Sequence, residues 1–213
     1  MLTVHHLNNS RSQRILWLLE ELELAYDLKC YQRDANTNLA PPELEAVHPL
    51  GKSPVLTDGA NTIIESGAII DYVLRRHGSG RLMPAPGSSE HEQYLQWLHY
   101  AEGSAMLPLM LRMYTGRLPD GGAALQPRID DELNRHLGYL DSSLEGVDWF
   151  VGNTFSGADV QLSFVVEIAP LLHPTGSFPN LAAMRERFQA RPAYQRALKK
   201  GGQYDFGPPG QEG

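Results

Sequence analysis

Ser10 is the first residue of this sequence whose position suggests chemistry, because it follows a predicted strand and precedes a predicted helix. The first turn of a helix has backbone N–H groups without partners inside the helix, and the helix dipole adds partial positive charge there. A hydroxyl at this position would point at the same spot as those N–H groups, which favours an anion site. The structural alternative is a plain N-cap, a role that serine often fills.

The Ser53-Pro54 pair heads a second predicted strand. Proline is tolerated at the first residue of a strand, and a cis peptide bond there would turn the backbone of Ser53 outward to a ligand. Most peptide bonds before proline are trans, so a simple edge-strand proline is the alternative.

Glu65-Ser66 lies at the start of a third element, a predicted helix. There a carboxylate stands beside a hydroxyl and the unpaired N–H groups of the first turn. Such a pair can bind a charged ligand, although an N-terminal cap is the common role of these residue types.

Histidine and cysteine carry little further chemistry here. The sequence has eight histidines but no H-x-x-x-H pair, so we expect solvated or singly hydrogen-bonded imidazoles and no metal site. Cys30 is the single cysteine, which excludes an internal disulfide and a zinc or iron–sulfur cage made of cysteines. Its place on a predicted strand suggests an inert core position.

The elements that must position these residues follow from hydrophobic spacing. Alternation over residues 2–7 and 26–30 predicts two strands, and an i, i+3, i+4, i+7 apolar stripe predicts the helix between them, capped by Ser10 or Ser12. Strands joined by a helix usually run parallel. Asp58-Gly59-Ala60-Asn61 then separates two short strands as a hairpin, and a helix over 65–77 completes the unit.

A Gly-, Pro- and Ser-rich stretch over residues 78–89 predicts a linker, and the stronger signals beyond it are helical. We therefore expect an α/β N-terminal domain, built as βαβ and then ββα, over residues 1–80, and an all-α bundle over 90–206. Ser156 and Asp159 form an S-x-x-D capping box before a mostly apolar helix. The tail after Tyr204 is expected to be loose.

Composition excludes several classes of protein. The 213 residues carry a formal charge of −7 and no cluster of Lys and Arg with interleaved aromatics, which argues against a nucleic-acid partner. The first residues lack the pattern of a signal peptide, and the densest apolar stretch is too short to span a bilayer. One cysteine suits a reducing compartment, so we expect the cytoplasm and no membrane insertion.

Taken together and in order, these segments resemble the cytosolic glutathione S-transferase family. The resemblance is carried by NNSRSQR at 8–14, HPLGKSPVL at 48–56, ESGAIIDYV at 65–73 and FSGADV at 155–160, and it extends over residues 1 to about 200. The stretches RDANTNLAPPEL and AEGSAMLPLM are similar to a fungal and bacterial subgroup. The family's fold, a thioredoxin-like domain followed by a helical one, agrees with the elements above.

The resemblance implies a glutathione site. Ser53 with a cis-Pro54 would pair with the cysteinyl backbone of glutathione. Glu65 and Ser66 would hold the γ-glutamyl end, and Lys52 would face the glycyl carboxylate.

The thiol end is expected at the first loop. By resemblance Ser10 occupies the position of a catalytic serine, and Arg11 would lie near the glycyl carboxylate with Lys52. The tyrosine of other classes is missing, since His5 and His6 occupy that strand end, so Asn9 and His6 stay as alternative activating residues.

The implied activity is addition of the glutathione thiol to small hydrophobic electrophiles, a detoxification reaction with glutathione as co-substrate and no metal. Flexible thioethers adapt to varied shapes, so the candidates for the electrophile site are Met106, Met110, Met113 and Tyr114. Two other functions stay open: a non-catalytic binding or scaffold protein, and a glutathione-dependent thiol transferase or peroxidase, for which a cysteine in place of Ser10 would be expected. The family also implies a homodimer formed through residues 90–114, with Glu102 reaching the partner's ligand.

Overall fold

The computed structural model describes residues 1–209 of the chain and divides them into two compact units. The first unit comprises Met1–Met83 together with the chain from Phe188 onward, and the second comprises Pro84–Arg187. No helix among residues 1–209 is both long enough and apolar enough to cross a bilayer.

The first unit is built on a four-stranded sheet in the order β2-β1-β3-β4. Its elements are β1 (Leu2–Leu7), α1 (Ser12–Glu21), β2 (Tyr26–Tyr31), a 3₁₀ turn (Pro42–Leu44), β3 (Val55–Asp58), β4 (Asn61–Ile63) and α2 (Ser66–His77). β1 pairs with β2 in parallel, as expected for strands joined by a helix, and with β3 in antiparallel. This mixed sheet with its helices is the predicted thioredoxin-like architecture.

The apolar stripe of α1 predicted its buried face correctly. Ile15, Leu18, Leu19 and Leu22 are all at most 2% exposed. The predicted position of Cys30 was wrong, because β2 forms the edge of the sheet and the thiol is exposed rather than part of the core.

The second unit is helical. It contains α3 (Ser89–Tyr100), a π-helical turn (Ala101–Ala105), α4 (Met106–Thr115), α5 (Gln126–Ser143), α6 (Gly157–Leu172) and most of α7 (Pro179–Gln189). The predicted capping box begins α6: the Ser156 hydroxyl accepts from Ala158 N–H at 3.2 Å, and the Asp159 carboxylate accepts from Ser156 N–H at 2.8 Å. Residues Gly157–Ala169 are buried, which agrees with the apolar sequence of this helix.

The last helix, α8 (Pro192–Gly201), belongs to the first unit rather than to the helical unit, unlike the predicted division at residues 80 and 90. The reason is its packing on α1. The rings of Trp17 and Tyr194 meet edge to face with centroids 5.4 Å apart, and Arg196 and Lys200 both pair with the buried carboxylate of Glu20. Apolar spacing shows that a helix forms, but it does not show which neighbour covers it.

Candidate active site

The first loop, between β1 and α1, places the Ser10 side chain inward. Ser10 is 5% exposed, and its hydroxyl donates to Leu7 O at 2.8 Å and accepts from Ser12 N–H at 3.2 Å. Arg11 occupies the N-cap position of α1 without a side-chain cap, but the Ser10 hydroxyl accepts from the N–H of Ser12, the first residue of the helix, so Ser10 keeps part of the predicted capping role. The Ser12 hydroxyl does not cap the helix and bonds to His6 at the end of β1 instead.

Ser12 and His6 continue this inward network. The two serine hydroxyls lie 2.8 Å apart, and Ser12 Oγ lies 2.8 Å from His6 Nδ1. His6 Nε2 lies 3.0 Å from Gly201 O. A carbonyl only accepts, so Nε2 carries the proton and Nδ1 accepts from Ser12. Burial lowers the pKa of His6 to about 4, against the opposing effect of the Gly201 bond.

His6 is therefore neutral at pH 7, and both of its ring nitrogens have partners within the first unit. His5 also has a hydrogen-bond partner, because its Nδ1 lies 3.0 Å from the hydroxyl of Tyr31. Burial and, secondly, the charge of Lys29 lower the pKa of His5.

Asn9, the other alternative activating residue, is tied to the C-terminal segment. Its backbone has φ +50°, its Nδ2 donates to Asp205 Oδ2 at 2.7 Å, and its Oδ1 accepts from Asp205 N–H at 2.7 Å. The tail was expected to be loose after Tyr204, but its first residue, Asp205, is held by the loop that carries Ser10. Residues 210–213 of that tail lie outside the described residues.

Arg33 holds the first loop through hydrogen bonds to its backbone, and the sequence did not identify this role. Its Nε donates to Asn8 O at 3.1 Å and its Nη2 to Asn9 O at 3.1 Å. Burial, and secondly the charge of Arg11, lower the pKa of Arg33. No local motif marks an arginine whose partners are carbonyl oxygens about 25 residues away in sequence.

Ser53 connects the second predicted segment to the same strand end. The Ser53-Pro54 bond is cis, as predicted. Ser53 Oγ donates to His5 O at 2.9 Å and accepts from Leu7 N–H at 3.2 Å. Ser10 and Ser53 thus bind the carbonyl and the amide of the same residue, Leu7.

Glu65 and Ser66 form the third segment. Glu65 precedes α2 with φ +65°, a conformation that is costly for residues other than glycine and that concentrates at ligand-binding sites. Its carboxylate is exposed and has no hydrogen bond or ion pair within residues 1–209. Ser66 is 3% exposed, and the buried guanidinium of Arg14 donates to its hydroxyl. Arg14 on α1 therefore connects this segment to the first loop.

Two cationic side chains accompany these segments. Lys52 is exposed immediately before Ser53, and Arg11 is half-buried at the start of α1. The first unit thus contains an unpaired carboxylate, exposed or half-buried cations and the N-terminal end of a helix. These groups are complementary to a ligand with both an ammonium and carboxylates.

The four candidates for an electrophile site lie on α4 in the second unit, with different exposure. Met106 is 2% exposed and packs in the core, Met110 and Met113 are half-buried, and Tyr114 is 54% exposed. Leu107 and Leu111 precede Tyr114 at helical spacing and are also exposed. Among the described residues, this face of α4 is therefore apolar and uncovered, and Met106 does not contribute to it.

No group of three or more His, Cys, Asp or Glu side chains within residues 1–209 is arranged to hold a metal ion.

Comparison with known proteins gives a consistent result over both units. The family model described as the N-terminal domain of glutathione S-transferase matches residues 1–75, and that of the C-terminal domain matches residues 103–192. Glutathione S-transferase 3 of Schizosaccharomyces pombe is 33% identical, over 94% of this chain and 88% of its own. Glutathione S-transferase 1 of Saccharomyces cerevisiae is 32% identical, over 79% of this chain and 81% of its own.

A solved structure shows the same likeness. A glutathione S-transferase from Actinobacillus pleuropneumoniae has a TM-score of 0.88 and 35% identity, with coverage of 97% of this chain and 95% of that one.

Proposed function

Because this chain belongs to the glutathione S-transferase family and is a glutathione transferase, we propose that its first unit binds glutathione across the three segments that meet around Leu7 and Arg14. The observation that carries this proposal is their convergence. Ser10 and Ser53 bind the backbone of Leu7, while Arg14 binds Ser66. Hydrogen bonds therefore connect Ser10 with Ser53 through Leu7, and Ser66 with α1 through Arg14, although these residues are distant in sequence.

Each segment recognises one part of the tripeptide. The exposed carboxylate of Glu65 binds the γ-glutamyl ammonium, while Ser66 and the first N–H groups of α2 bind the adjacent carboxylate. The backbone of Ser53, beside cis-Pro54, pairs with the cysteinyl residue. Lys52 and Arg11 supply positive charge for the glycyl carboxylate.

Thiol activation takes place at the N-terminal end of α1. A free thiol has a pKa of about 8.5, and each unit by which the site lowers it requires about 1.36 kcal/mol of preference for the thiolate. Ser10 provides the hydroxyl donor, and the helix dipole adds partial positive charge. A hydroxyl has one proton, so Ser10 releases Leu7 O when it donates to the thiolate.

The electrophile binds at the uncovered face of α4, against Met110, Met113 and Tyr114. The acceptor is a small hydrophobic electrophile, since this face has thioethers and an aromatic ring and suits varied shapes. We further place the enzyme in the cytoplasm, where its exposed Cys30 stays reduced, and expect a homodimer through residues 90–114 with Glu102 near the partner's ligand.

Two assays test this assignment against its alternatives. The purified protein is assayed for conjugation of glutathione to 1-chloro-2,4-dinitrobenzene and, separately, for reduction of a glutathione mixed disulfide. Conjugation of the aryl halide with slow reduction of the disulfide is the expected result. Preferential disulfide reduction would identify a thiol transferase, and inactivity with retained glutathione binding would identify a binding protein. Either outcome contradicts the proposed conjugation chemistry.

A further inference from the structure

A separate cavity of about 260 Å³ lies within the helical unit, at the end of α6 and the first half of α7. Its apolar lining includes the buried side chains of Val166, Ala169 and Leu181, which are all at most 4% exposed, and the half-buried ring of Phe178. None of its lining residues belongs to the glutathione or electrophile sites proposed above.

Pro170 interrupts the backbone hydrogen bonds of α6 where the helix borders the cavity. It lies inside α6 and lines the cavity. A proline nitrogen has no hydrogen to donate, so the carbonyl of Val166, four residues earlier, lacks its usual partner within the helix. The regular hydrogen-bond pattern of the helix is therefore interrupted in the cavity wall.

The charge in this lining is Arg185, on α7. Arg185 is half-buried as a residue, and its guanidinium has no hydrogen bond or ion pair within the described part of the chain. Arg187, two residues later on the same helix, is paired instead, with Nη2 2.7 Å from Asp148 Oδ1. A half-buried cation without a protein partner, beside an apolar surface, is complementary to a ligand that has an acid group and an apolar body.

The neighbouring polar groups do not satisfy Arg185. Asp141 lies near the start of α7, but its Oδ1 accepts from the N–H groups of Asn180 and Leu181 at 2.8 and 3.0 Å. His173, which also lines the cavity and is 6% exposed, bonds through Nε2 to Asn134 Oδ1 at 3.0 Å. The lining therefore contains no carboxylate that competes with an anionic ligand.

We propose that this cavity is a second, non-substrate binding site for a small amphipathic monocarboxylate, with the carboxylate on Arg185 and the apolar body against Val166, Leu181 and Phe178. The volume limits the ligand to one ring or a short chain, since sites for drug-sized molecules occupy roughly 300–1,000 Å³. Carboxylate and guanidinium form charge-assisted hydrogen bonds, which are the stronger kind in proteins.

Titration calorimetry with 4-phenylbutyrate tests the proposal on the full chain. The matched neutral probe is 4-phenylbutanol, which has the same ring and chain length without the charge. The wild type is expected to bind the acid at least tenfold more tightly than the alcohol. Arg185→Gln should weaken binding of the acid by about tenfold or more and leave that of the alcohol nearly unchanged.

Arg187→Gln is the control, because it makes the same charge change on the same helix outside the cavity. It should leave binding of the acid within about twofold of the wild type. Ala182→Trp, at an exposed residue of the lining, should block both probes by filling the cavity. Equal melting temperatures exclude a folding defect, and the aryl halide assay should show unchanged conjugation in Arg185→Gln.

Absence of binding in the wild type at millimolar acid, or equal loss with Arg185→Gln and Arg187→Gln, would overturn the proposal. Binding of the acid that survives Ala182→Trp would also overturn it, since the ligand would then lie elsewhere. These experiments measure binding of the carboxylate directly. They therefore test the second site independently of the conjugation chemistry proposed above.

Discussion

The hydroxyl of Ser10 donates to the carbonyl oxygen of Leu7 at 2.8 Å, so the residue proposed to activate the thiol also closes the loop that carries it. The same oxygen lies 3.2 Å from Ser12 Oγ. Ser12 gives its one hydroxyl proton to His6 Nδ1, so it does not replace Ser10 as the donor to Leu7 O when Ser10 turns to a thiolate. Catalysis and loop structure are coupled through one acceptor atom.

Ser10→Ala should raise the pKa of the bound glutathione thiol by about one to two units, since a hydrogen bond to a charged group is worth about 1.5–3 kcal/mol. Turnover should fall while glutathione affinity stays within a few-fold. The thiolate absorbance titrated against pH measures this directly. Ser12→Ala is the comparison: it should lower stability and leave the thiol pKa near the wild-type value. An identical titration in Ser10→Ala would assign Ser10 to loop structure alone.

Glu65→Gln should damage glutathione binding first. Loss of a charged partner for the γ-glutamyl ammonium should raise the dissociation constant roughly ten- to a hundredfold, with much less effect on turnover at saturation. Glu23→Gln is a matched control, because Glu23 is also an exposed glutamate with positive φ, at +54°, but lies after α1 and outside the site. Calorimetry measures the dissociation constant of glutathione for both variants and so tests the role of Glu65. Unchanged affinity in Glu65→Gln would remove Glu65 from the binding site.

His6 predicts a loss of stability in mild acid. Its pKa is about 4 in the folded protein and 6.5 ordinarily, so the unfolded chain binds the proton more tightly. Its contribution is therefore present above pH 6.5 and is lost as the pH falls toward 4. Between pH 7 and pH 5 this amounts to about 2 kcal/mol.

Urea unfolding at both pH values, for the wild type and His6→Gln, measures this contribution. The wild-type free energy of unfolding should fall more steeply with acid than that of the variant. The difference between the two proteins isolates His6, because other titrating groups such as Asp159 are present in both and cancel. Burial raises the pKa of Asp159 to about 6, so Asp159 alone would make the folded protein bind its proton more tightly and would favour stability in acid. Parallel pH curves for the two proteins would contradict the assignment.

Asp159→Ala should lower the free energy of unfolding by about 2–4 kcal/mol, because two buried N–H groups lose their acceptor. Asp159 is fully buried and accepts from Phe150 N–H at 3.0 Å and Ser156 N–H at 2.8 Å. The change also removes the cost of burying a carboxylate, which limits the net loss. Asp148→Ala removes an exposed partner of Arg187 and should cost about 1 kcal/mol or less. Chemical denaturation measures the free energy of unfolding of both variants. An equal loss of stability in the two would contradict a structural role for the capping box.

The sequence by itself determined the kind and order of the elements that carry the site. The apolar stripe of α1, the Gly59-Ala60 turn between β3 and β4, and the capping box of α6 are local patterns whose partners lie within a few residues. Segment order then predicted where Ser10, Ser53 and Glu65 would be presented, because each lies at the end of such an element.

The tertiary structure alone decided which partner each polar atom takes. Ser10 turns inward to Leu7, His6 bonds to Gly201 O across 195 residues of sequence, and Arg33 supports the first loop. It also decided that Cys30 lies on an edge strand and that α8 packs on α1. The physical reason is that hydrophobic periodicity shows which face of a helix or strand is buried, but not which other element packs against that face. A polar side chain finds its partner only once distant segments are packed together.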